Sequence, residues 1–488
     1  MKLKHFYKIV LLLIITGFSV SCSKDGDEAP QLEISATTIS FTPEGGTSEE
    51  ITIDANSSWS VSNPPTSWLQ LTKTSGASGT TVIKLIALKN ETLKLSRSVV
   101  LTVEANNGQT RRITIKQAAN FYPSYNLSPK APDATKMSST AVELAAKMHL
   151  GINFGNTMEA PTEAEWVNSK ITESYVKFVK QIGFNAVRIP CNWNWTHLSD
   201  VDKAKIDQAW LDRVYEVVEW CVENDMYVML NIHWDGGWLD SNINAASQES
   251  VKAKQKALWE QIATKMRDFN EHLIFASANE PPANDAAQMA ILNSYHQTFI
   301  DAVRSTGGKN SYRVLVVQGP HTDSNRTFNL MNTLPVDPVP NKLMVEVHNY
   351  TPSTFTILLE KDVSWGNMVY YWGAGNHSTI EPERNAINGE EDAIIDEFQK
   401  MKQKFVDKGI PVILGEYASW RRNDPSKPIP KDTKKHNKSV EYWATYVTKQ
   451  AKLHGLVPFW WEIGVTLDRA TDKVKDQDLL DAIIAGGK

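Results

Sequence analysis

The chain has 488 residues, which is longer than a domain with a single hydrophobic core usually is. Its length therefore predicts at least two domains. Apolar residues make up 41% and charged residues 22%, as in a water-soluble globular protein. The formal net charge of −5 gives no electrostatic reason to expect nucleic acid as a partner. Sixteen tryptophans are the compositional anomaly, because their large amphipathic rings are suited to stacking on flat ligands.

Residues 1–21 have the composition of a signal peptide. A basic flank is followed by a short apolar run over residues 9–18 and by small residues before Cys22. The apolar run is too short to cross a bilayer as a stable helix. Ser19-Val20-Ser21-Cys22 resembles a bacterial lipobox, although Ser19 stands where Leu or Val is usual. The resemblance implies cleavage before Cys22, lipid attachment to its thiol, and membrane contact only through that anchor.

The segment after Cys22 bears on where the protein resides. Residues 24–28 are mostly acidic and resemble the surface-export signal of Bacteroidetes lipoproteins. We therefore expect a protein of the cell envelope, lipid-anchored in the outer membrane of a Bacteroidetes-like bacterium and exposed on its surface.

Two cysteines, Cys191 and Cys221, remain in the rest of the chain. We expect two small buried thiols and no disulfide framework. No Cys/His cluster has the spacing of zinc ligands, so we expect neither a metal nor another cofactor.

Residues 31–119 predict an all-β domain. Apolar and polar residues alternate with period two in runs such as residues 48–54, 81–85 and 98–103, and turn residues separate the runs. Many short strands without a helical period are typical of a β-sandwich.

This segment resembles the BACON domain, a sandwich module of Bacteroidetes carbohydrate-active lipoproteins. The resemblance rests on short motifs spread over nearly all of the segment: Ser58-Trp59-Ser60, Trp68-Leu69, Ser75-Gly76, Asn90, Arg97-Ser98 and Ile115-Lys116-Gln117. It implies either glycan binding or a stiff spacer that holds the rest of the chain away from a membrane. We favour the spacer, because the segment has only two tryptophans and both fit its core.

Residues 120–137 predict an extended linker, since Pro123, Pro129 and Pro132 stand among small polar residues. Over residues 138–488, apolar runs typical of strands alternate with helical patterns. The eight runs are residues 150–154, 186–189, 227–230, 273–276, 314–317, 343–345, 412–414 and 457–460. This alternation predicts an α/β domain with the (β/α)8 TIM barrel fold.

Two glutamates follow strands of this predicted barrel. Glu280 lies in Asn279-Glu280-Pro281 after the fourth strand, and Glu416 lies in Gly415-Glu416-Tyr417 after the seventh. Active sites of such barrels form where the strands end. A pair of carboxyl groups there suits glycosidic bond cleavage, in which one donates a proton and the other acts as nucleophile or base.

Polar and aromatic residues also follow most of the other strands. Buried polar groups cost free energy unless they are paired, so packing alone does not explain them. These motifs resemble glycoside hydrolase family 5 across the whole second domain and in the family's order. The matching motifs are Val187-Arg188-Ile189-Pro190, Asn231-Ile232-His233, Asn279-Glu280-Pro281, His348-Asn349-Tyr350, Gly415-Glu416-Tyr417 and Trp460-Trp461.

The resemblance implies roles for the two carboxyl groups and their neighbours. Glu280 is expected to be the general acid/base, with a pKa raised by burial and by the second carboxylate. Glu416 is expected to be the nucleophile of a retaining enzyme, with the two carboxyl groups ~5–5.5 Å apart. Arg188 would keep Glu416 ionised, and Tyr350 would donate to it.

Substrate contacts follow from the same resemblance. Asn279 is expected to bind the sugar 2-hydroxyl, His233 another hydroxyl of that sugar, and His348 either Glu280 or the leaving sugar. Trp461 is expected to be the platform under the sugar, with Trp460 as the alternative.

The expected function is a monomeric endo-β-1,4-glucanase that hydrolyses β-glucan polysaccharide by double displacement. A xyloglucanase, a mixed-linkage glucanase or a β-mannanase on the same frame is the alternative. A non-catalytic glycan-binding surface lipoprotein would lack one of the carboxylates, and a metal-dependent hydrolase would need His or Asp ligands in register.

Overall fold

The computed structural model describes residues 29–62, 66–92, 94–166, 169–358 and 360–488. The predicted signal peptide and Cys22 lie outside these residues, so both stay predictions. The chain divides into two compact units between Asn120 and Phe121. None of the described helices is long and apolar enough to cross a membrane.

The first unit is β-rich, and its strands form several sheets, consistent with the predicted sandwich. Its strands are β1 Leu32–Ile34, β2 Thr38–Phe41, β3 Gly46–Thr47, β4 Ile51–Ala55, β5 Trp59–Ser62, β6 Leu69–Leu71, β7 Ser75–Gly76, β8 Gly79–Ile83, β9 Leu85–Ala87, β10 Arg97–Ala105 and β11 Thr110–Gln117. They pair as β1-β4-β8, β2-β11-β10-β5-β7 and β3-β9-β6. Alternate residues, such as Ile51 and Ile53 in β4, point into one apolar core that includes Trp59.

The second unit confirms the (β/α)8 barrel. Eight parallel strands close on themselves in chain order, and the last pairs with the first. These strands are β12 Gly151–Asn153, β13 Ala186–Ile189, β16 Tyr227–Asn231, β17 Leu273–Ala276, β18 Leu315–Asp323, β19 Leu343–Asn349, β20 Val412–Tyr417 and β21 Leu456–Trp460. Two small hairpins lie outside the barrel sheet, β14 Leu198–Asp200 with β15 Lys205–Ile206 and β22 Leu467–Asp468 with β23 Lys473–Val474.

Helices separate the barrel strands. They are α1 Ala141–Lys147, α2 Glu173–Gln181, α3 Gln208–Glu223, α4 Gln248–Lys265, α5 Ala286–Ser305, α6 Ser324–Leu330, α7 Ser353–Thr356, α8 Glu391–Lys404, α9 Thr433–Leu453 and α10 Gln477–Gly487. Polar side chains fix several of their starts; Asp285, for example, accepts a hydrogen bond from the backbone N–H of Gln288. Helix α1 precedes the first barrel strand, and its Leu144 lies in one apolar cluster with Met229 and Ile274 of the barrel.

The segment predicted to be a linker, residues 120–137, differs from that prediction. From Phe121 onward it belongs to the barrel unit. The buried carboxylate of Glu260 in α4 accepts hydrogen bonds from the Ser124 hydroxyl at 3.0 Å and from the Tyr125 backbone N–H at 2.6 Å. Composition alone does not distinguish a free extended segment from one that is hydrogen-bonded to a helix. The carboxylate that binds this segment, Glu260, is more than 130 residues away in sequence.

Candidate active site

The predicted site residues come together at the carboxyl ends of the barrel strands. Arg188 lies in β13 and Glu416 in β20, whereas His348 occupies the next-to-last position of β19. The others follow the strand ends within a few residues: His233 after β16, Asn279 and Glu280 after β17, Tyr350 after β19 and Trp461 after β21. The barrel therefore gathers residues that are up to 273 positions apart in the chain, from Arg188 to Trp461.

A fully buried guanidinium organises the centre of this site. Arg188 Nη1 donates to Glu416 Oε1 at 2.7 Å and to Asn153 Oδ1 at 3.0 Å. Nη2 donates to Asn279 Oδ1 at 2.7 Å. Nε forms an ion pair with Glu346 Oε1 at 2.8 Å. A buried charge persists only when it is paired, and here two carboxylates and two amide oxygens surround the one cation.

His348 joins the carboxyl groups of Glu280 and Glu416 to that of Glu346. Its Nδ1 lies 2.7 Å from Glu280 Oε1 and 3.6 Å from Glu416 Oε2, and its Nε2 lies 3.2 Å from Glu346 Oε1. Gln318 donates to the other oxygen of Glu346 at 2.5 Å. The bond between His348 and Glu280 is one of the two alternatives expected for this histidine.

Glu346 was missed by the sequence analysis, which ended the sixth strand at Val345. The glutamate is fully buried and bridges Arg188 and His348. Its space depends on Gly415, because a Cβ atom there would lie 2.0 Å from Glu346 Oε1. One feature of the sequence pointed to Glu346: it and His348 alternate with apolar residues in a strand that the barrel fold would bury.

Tyr350 is fixed on both sides. Its hydroxyl donates to Glu416 Oε2 at 3.0 Å, as expected. The neighbouring Asn349 side chain donates to Glu397 Oε2 at 2.6 Å, and the Thr351 hydroxyl donates to Glu397 Oε1 at 3.0 Å. Glu397 in α8 thereby fixes the backbone on both sides of Tyr350, which contacts the proposed nucleophile Glu416.

The two carboxyl groups are close together. One ligand atom each from Glu280, His348 and Glu416 lies within 4.8 Å of the others. Carboxyl groups about 5–5.5 Å apart are typical of retaining glycosidases, whereas inverting enzymes have them about 6.5–9.5 Å apart. The spacing observed here is closer to the first range than to the second.

Within the described part of the chain, the same three residues also form a cluster that could hold a metal ion. The donor set argues against this use. Arg188 and Tyr350 already bind the two oxygens of Glu416, and the positive guanidinium lies 2.7 Å from one of them. The expected absence of a metal stays a prediction.

The pKa values of the two carboxyl groups are shifted in opposite directions. Burial raises the pKa of Glu280, but the hydrogen bond from His348 and the charges of His348 and Arg188 outweigh it, and the net shift is downward. Burial also raises the pKa of Glu416, and His348 and Arg188 only partly offset that effect. The raised pKa that we expected for Glu280 is therefore not found in the free site.

The pKa of His348 is raised to about 9. Burial opposes its charge, but the negative charges of Glu416, Glu280 and Glu346 more than compensate. His233 has the opposite shift, because burial and the positive charges of Arg188 and His348 hold its pKa well below the ordinary value. The site thus contains one charged and one neutral imidazole near neutral pH.

The carboxyl groups of Glu280 and Glu416 open onto a cleft of about 530 Å³, whose lining also includes Tyr350, Trp420 and Trp461. The Trp461 ring is parallel to the His233 ring, with 5.8 Å between ring centroids. Trp460 is buried and packs edge-on against Tyr417. Of the two candidates for the sugar platform, Trp461 is the one that faces the cleft.

Glu462, which directly follows Trp461, stabilises the local structure. Its buried carboxylate accepts hydrogen bonds from the backbone N–H groups of Gly464 at 2.7 Å and of Thr466 and Leu467 at 3.2 Å. These bonds fix the turn that follows Trp461.

Residues 149–466, well over half of the chain, match the cellulase family, glycosyl hydrolase family 5. The chain belongs to glycosyl hydrolase family 5. Residues 57–118 of the first unit match the BACON family, which is described as an N-terminal binding domain. Both matches agree with the resemblances that the sequence motifs indicated.

Relatives of this family 5 chain are similar over most of its length. It is 31% identical to the xyloglucan-specific endo-beta-1,4-glucanase BoGH5A of Bacteroides ovatus, over 98% of this chain and 96% of that protein. It is 32% identical to endoglucanase A of Paenibacillus barcinonensis, over 74% and 93% of the two chains. The solved structure of a Bacteroides ovatus GH5 xyloglucanase with a XXXG heptasaccharide is 30% identical, has a TM-score of 0.69, and is matched over 94% of this chain and 100% of that one.

The shifted pKa of His348 predicts how stability changes with pH. A pKa raised to about 9 from 6.5 stabilises the folded state fully below pH 6.5, and this stabilisation is lost as pH rises through 9. We expect the free energy of unfolding, measured by urea titration, to fall over that interval by more than about 1 kcal/mol, which is close to the equivalent of one pKa unit.

His348→Gln is expected to flatten this pH dependence, whereas His149→Gln at an exposed position is expected to leave it as in the wild type. Equal slopes in the wild type and His348→Gln would show that the imidazole does not hold the charge assigned to it.

Proposed function

We infer that the chain is an endo-β-1,4-glucanase that hydrolyses β-glucan polysaccharides. The observation that carries this inference is the approach of Glu280 and Glu416 to within 4.8 Å, on the strand ends of a family 5 barrel. Relatives named as endoglucanases support the substrate class.

The first step of the proposed mechanism is glycosylation of the enzyme. Glu416 attacks the anomeric carbon, and the bond from that carbon to the glycosidic oxygen breaks as Glu280 gives its proton to the oxygen. Arg188 and Tyr350 hold one oxygen each of Glu416, so the carboxylate is aimed before substrate arrives. A covalent glycosyl-enzyme results.

The second step reverses the proton transfer. Glu280, now a carboxylate, takes a proton from water as the water oxygen attacks the same carbon and displaces Glu416. Two inversions at one carbon leave the product with the configuration of the substrate. Asn279 assists both steps: its oxygen is held by Arg188, and its NH2 group is the donor proposed for the 2-hydroxyl.

The low pKa of Glu280 in the free site is compatible with its role as an acid. The pair of His348 and Glu280 has two forms with the same number of protons. In one form His348 is charged and Glu280 is a carboxylate, and in the other His348 is neutral and Glu280 is a carboxylic acid. Moving the proton across the 2.7 Å hydrogen bond between His348 and Glu280 converts one form into the other. The proton that the leaving sugar needs is therefore already stored in this pair.

Xyloglucan is a second candidate substrate. The relative named as xyloglucan-specific matches both the barrel and the N-terminal unit, covering 98% of this chain. Cleavage of xyloglucan would use the same carboxyl groups on the same β-1,4-linked backbone, with room for branches in the cleft. A mixed-linkage glucan or a mannan would be cleaved by the same carboxyl groups, and the shape of the cleft decides which of these backbones fits.

We further propose that the enzyme is a monomer anchored through a lipid on Cys22 to the outer membrane and displayed outward. The motif around Cys22 and the acidic residues 24–28 support the proposal. The BACON unit is then a spacer between membrane and barrel, since both of its tryptophans pack on its own core.

A reducing-end assay on several polysaccharides tests the function directly. We expect the purified enzyme to release new ends from carboxymethylcellulose, barley β-glucan or xyloglucan, and to do so equally after chelator treatment. Glu416→Ala serves as the matched control and should lose at least about 10³-fold in rate. Activity confined to glucomannan or xylan would contradict the glucanase assignment.

Azide distinguishes the roles of the two glutamates. Glu280→Ala should slow hydrolysis of an aryl β-cellobioside by about 10²–10⁴-fold, because water is no longer activated. Added azide should restore turnover and give a β-glycosyl azide, since this nucleophile needs no base. Glu416→Ala should not yield the β-azide, and the opposite pattern would exchange the two roles.

Replacement of the proposed lipidated residue tests the location. Cys22→Ser, expressed from the full-length gene, is expected to appear in the soluble fraction while the wild type sediments with membranes. A wild type without a lipid on its N-terminal residue by mass spectrometry would refute the anchor.

A further inference from the structure

Arg469 is a buried arginine to which the proposed mechanism gives no role. It lies in the turn of the small hairpin between β22 and β23, which follows the last barrel strand in the chain. Its Nη2 donates to the backbone oxygen of Glu462 at 2.7 Å, and its Nη1 donates to the hydroxyl of Thr157. One side chain of the hairpin thus contacts both the loop after β12 and the residue that follows Trp461.

The surroundings of Arg469 account for its burial. The guanidinium carbon lies 5.8 Å from the centre of the Tyr175 ring, close enough for a cation–π contact. The buried Glu159 is a further neighbour: burial raises the pKa of its carboxyl to about 7, and the charge of Arg469 acts in the opposite direction. The same carboxylate accepts a hydrogen bond from the Thr157 backbone N–H at 2.8 Å. A buried cation costs free energy unless such partners surround it, so the guanidinium is held in one position.

Both oxygens that Arg469 binds are also joined to Gly155. The Glu462 backbone oxygen accepts a second hydrogen bond from the Gly155 N–H at 3.0 Å, and the Thr157 hydroxyl donates to the Gly155 oxygen at 3.1 Å. Gly155 has little space for a side chain, because a Cβ atom there would lie 3.0 Å from the Trp461 ring. The Trp461 indole therefore packs on backbone that Arg469 fixes.

Trp461 is fixed from two sides. Its backbone N–H donates to the oxygen of Tyr417 at 3.0 Å, and Tyr417 directly follows Glu416. This bond connects the tryptophan to the strand that carries the proposed nucleophile. The contacts of Gly155 and Arg469 connect it to the loop after β12. The hairpin is therefore part of the support of the proposed sugar platform.

We propose that Arg469 is a positioning residue for the reaction, because it holds the Trp461 ring at the distance from the two catalytic carboxyl groups that the reacting sugar requires. The inference rests on the proposed function, since it takes Trp461 as the platform under that sugar. An indole offers a large apolar surface and has little conformational freedom to lose. A displacement of about 1 Å in a group that positions the substrate is enough to lower a rate about 10²-fold. Arg469 acts through Trp461 and does not touch the sugar.

A double-mutant cycle with Trp461 tests this role. Arg469→Met keeps an unbranched side chain but removes the donors, and we expect it to lower kcat/KM on dinitrophenyl β-cellobioside by about tenfold. The reactive leaving group of this substrate keeps slow variants measurable. In a Trp461→Ala background the same change should cost less than about twofold, because the ring that Arg469 positions is absent. A role in folding alone would give the same loss in both backgrounds.

Arg304→Met is the matched control. Arg304 is a buried arginine that forms an ion pair with Asp337. It lies in the last turn of α5, which returns the chain to the opposite end of the barrel. Its replacement should lower the melting temperature and leave kcat/KM unchanged, provided that every variant is assayed below the onset of its own thermal unfolding.

A second pair of variants leaves the buried charge in place. Thr157→Val removes the hydroxyl that Arg469 contacts, in a side chain of similar volume, and should lower kcat/KM by about three- to tenfold. Thr157→Ser keeps the hydroxyl and should recover most of that activity. This pair gives a result even where Arg469→Met does not fold.

The outcomes separate the two proposals. A wild type inactive on every glucan would refute the proposed function. An active wild type in which Arg469→Met changes kcat/KM no more than Arg304→Met does would refute the role of Arg469 alone. An equal loss with and without Trp461, or equal activities of Thr157→Val and Thr157→Ser, would also refute it.

Discussion

The site depends on the pairing of one buried cation, Arg188. Its guanidinium contacts Glu416, Glu346, Asn279 and Asn153, which stand on or just after four different barrel strands. An unpaired charge at this depth would cost several kcal/mol, so the strands must bring these partners together for the barrel to close. The same contacts that stabilise the cation fix the position of the proposed nucleophile.

Charge balance links stability to the chemistry. Three carboxylates, Glu280, Glu346 and Glu416, face two basic groups, Arg188 and His348. Removal of either basic group would leave carboxylates in mutual repulsion, and the same carboxylates raise the pKa of His348. Because these groups are fixed in the free protein, little reorganisation is required when charge develops on the substrate.

The sequence was sufficient to predict the eight strands, their alternation with helices and the residues that follow each strand end. It could not predict Glu346, because an acid inside an apolar strand is explained only when a cation across the barrel is known to face it. Nor could it predict that Ser124 and Tyr125 donate hydrogen bonds to Glu260, or that His348 lowers the pKa of Glu280, since both effects require contacts between distant parts of the chain.

The central claim is that Glu280 and Glu416, held within 4.8 Å by this network, act on opposite sides of one glycosidic bond in two successive displacements. The most direct test is ¹H NMR of the anomeric proton during the first minutes of hydrolysis of a cello-oligosaccharide. The account predicts that the β-anomer appears first and that the α-anomer follows only by slow mutarotation. Initial release of the α-anomer would contradict it.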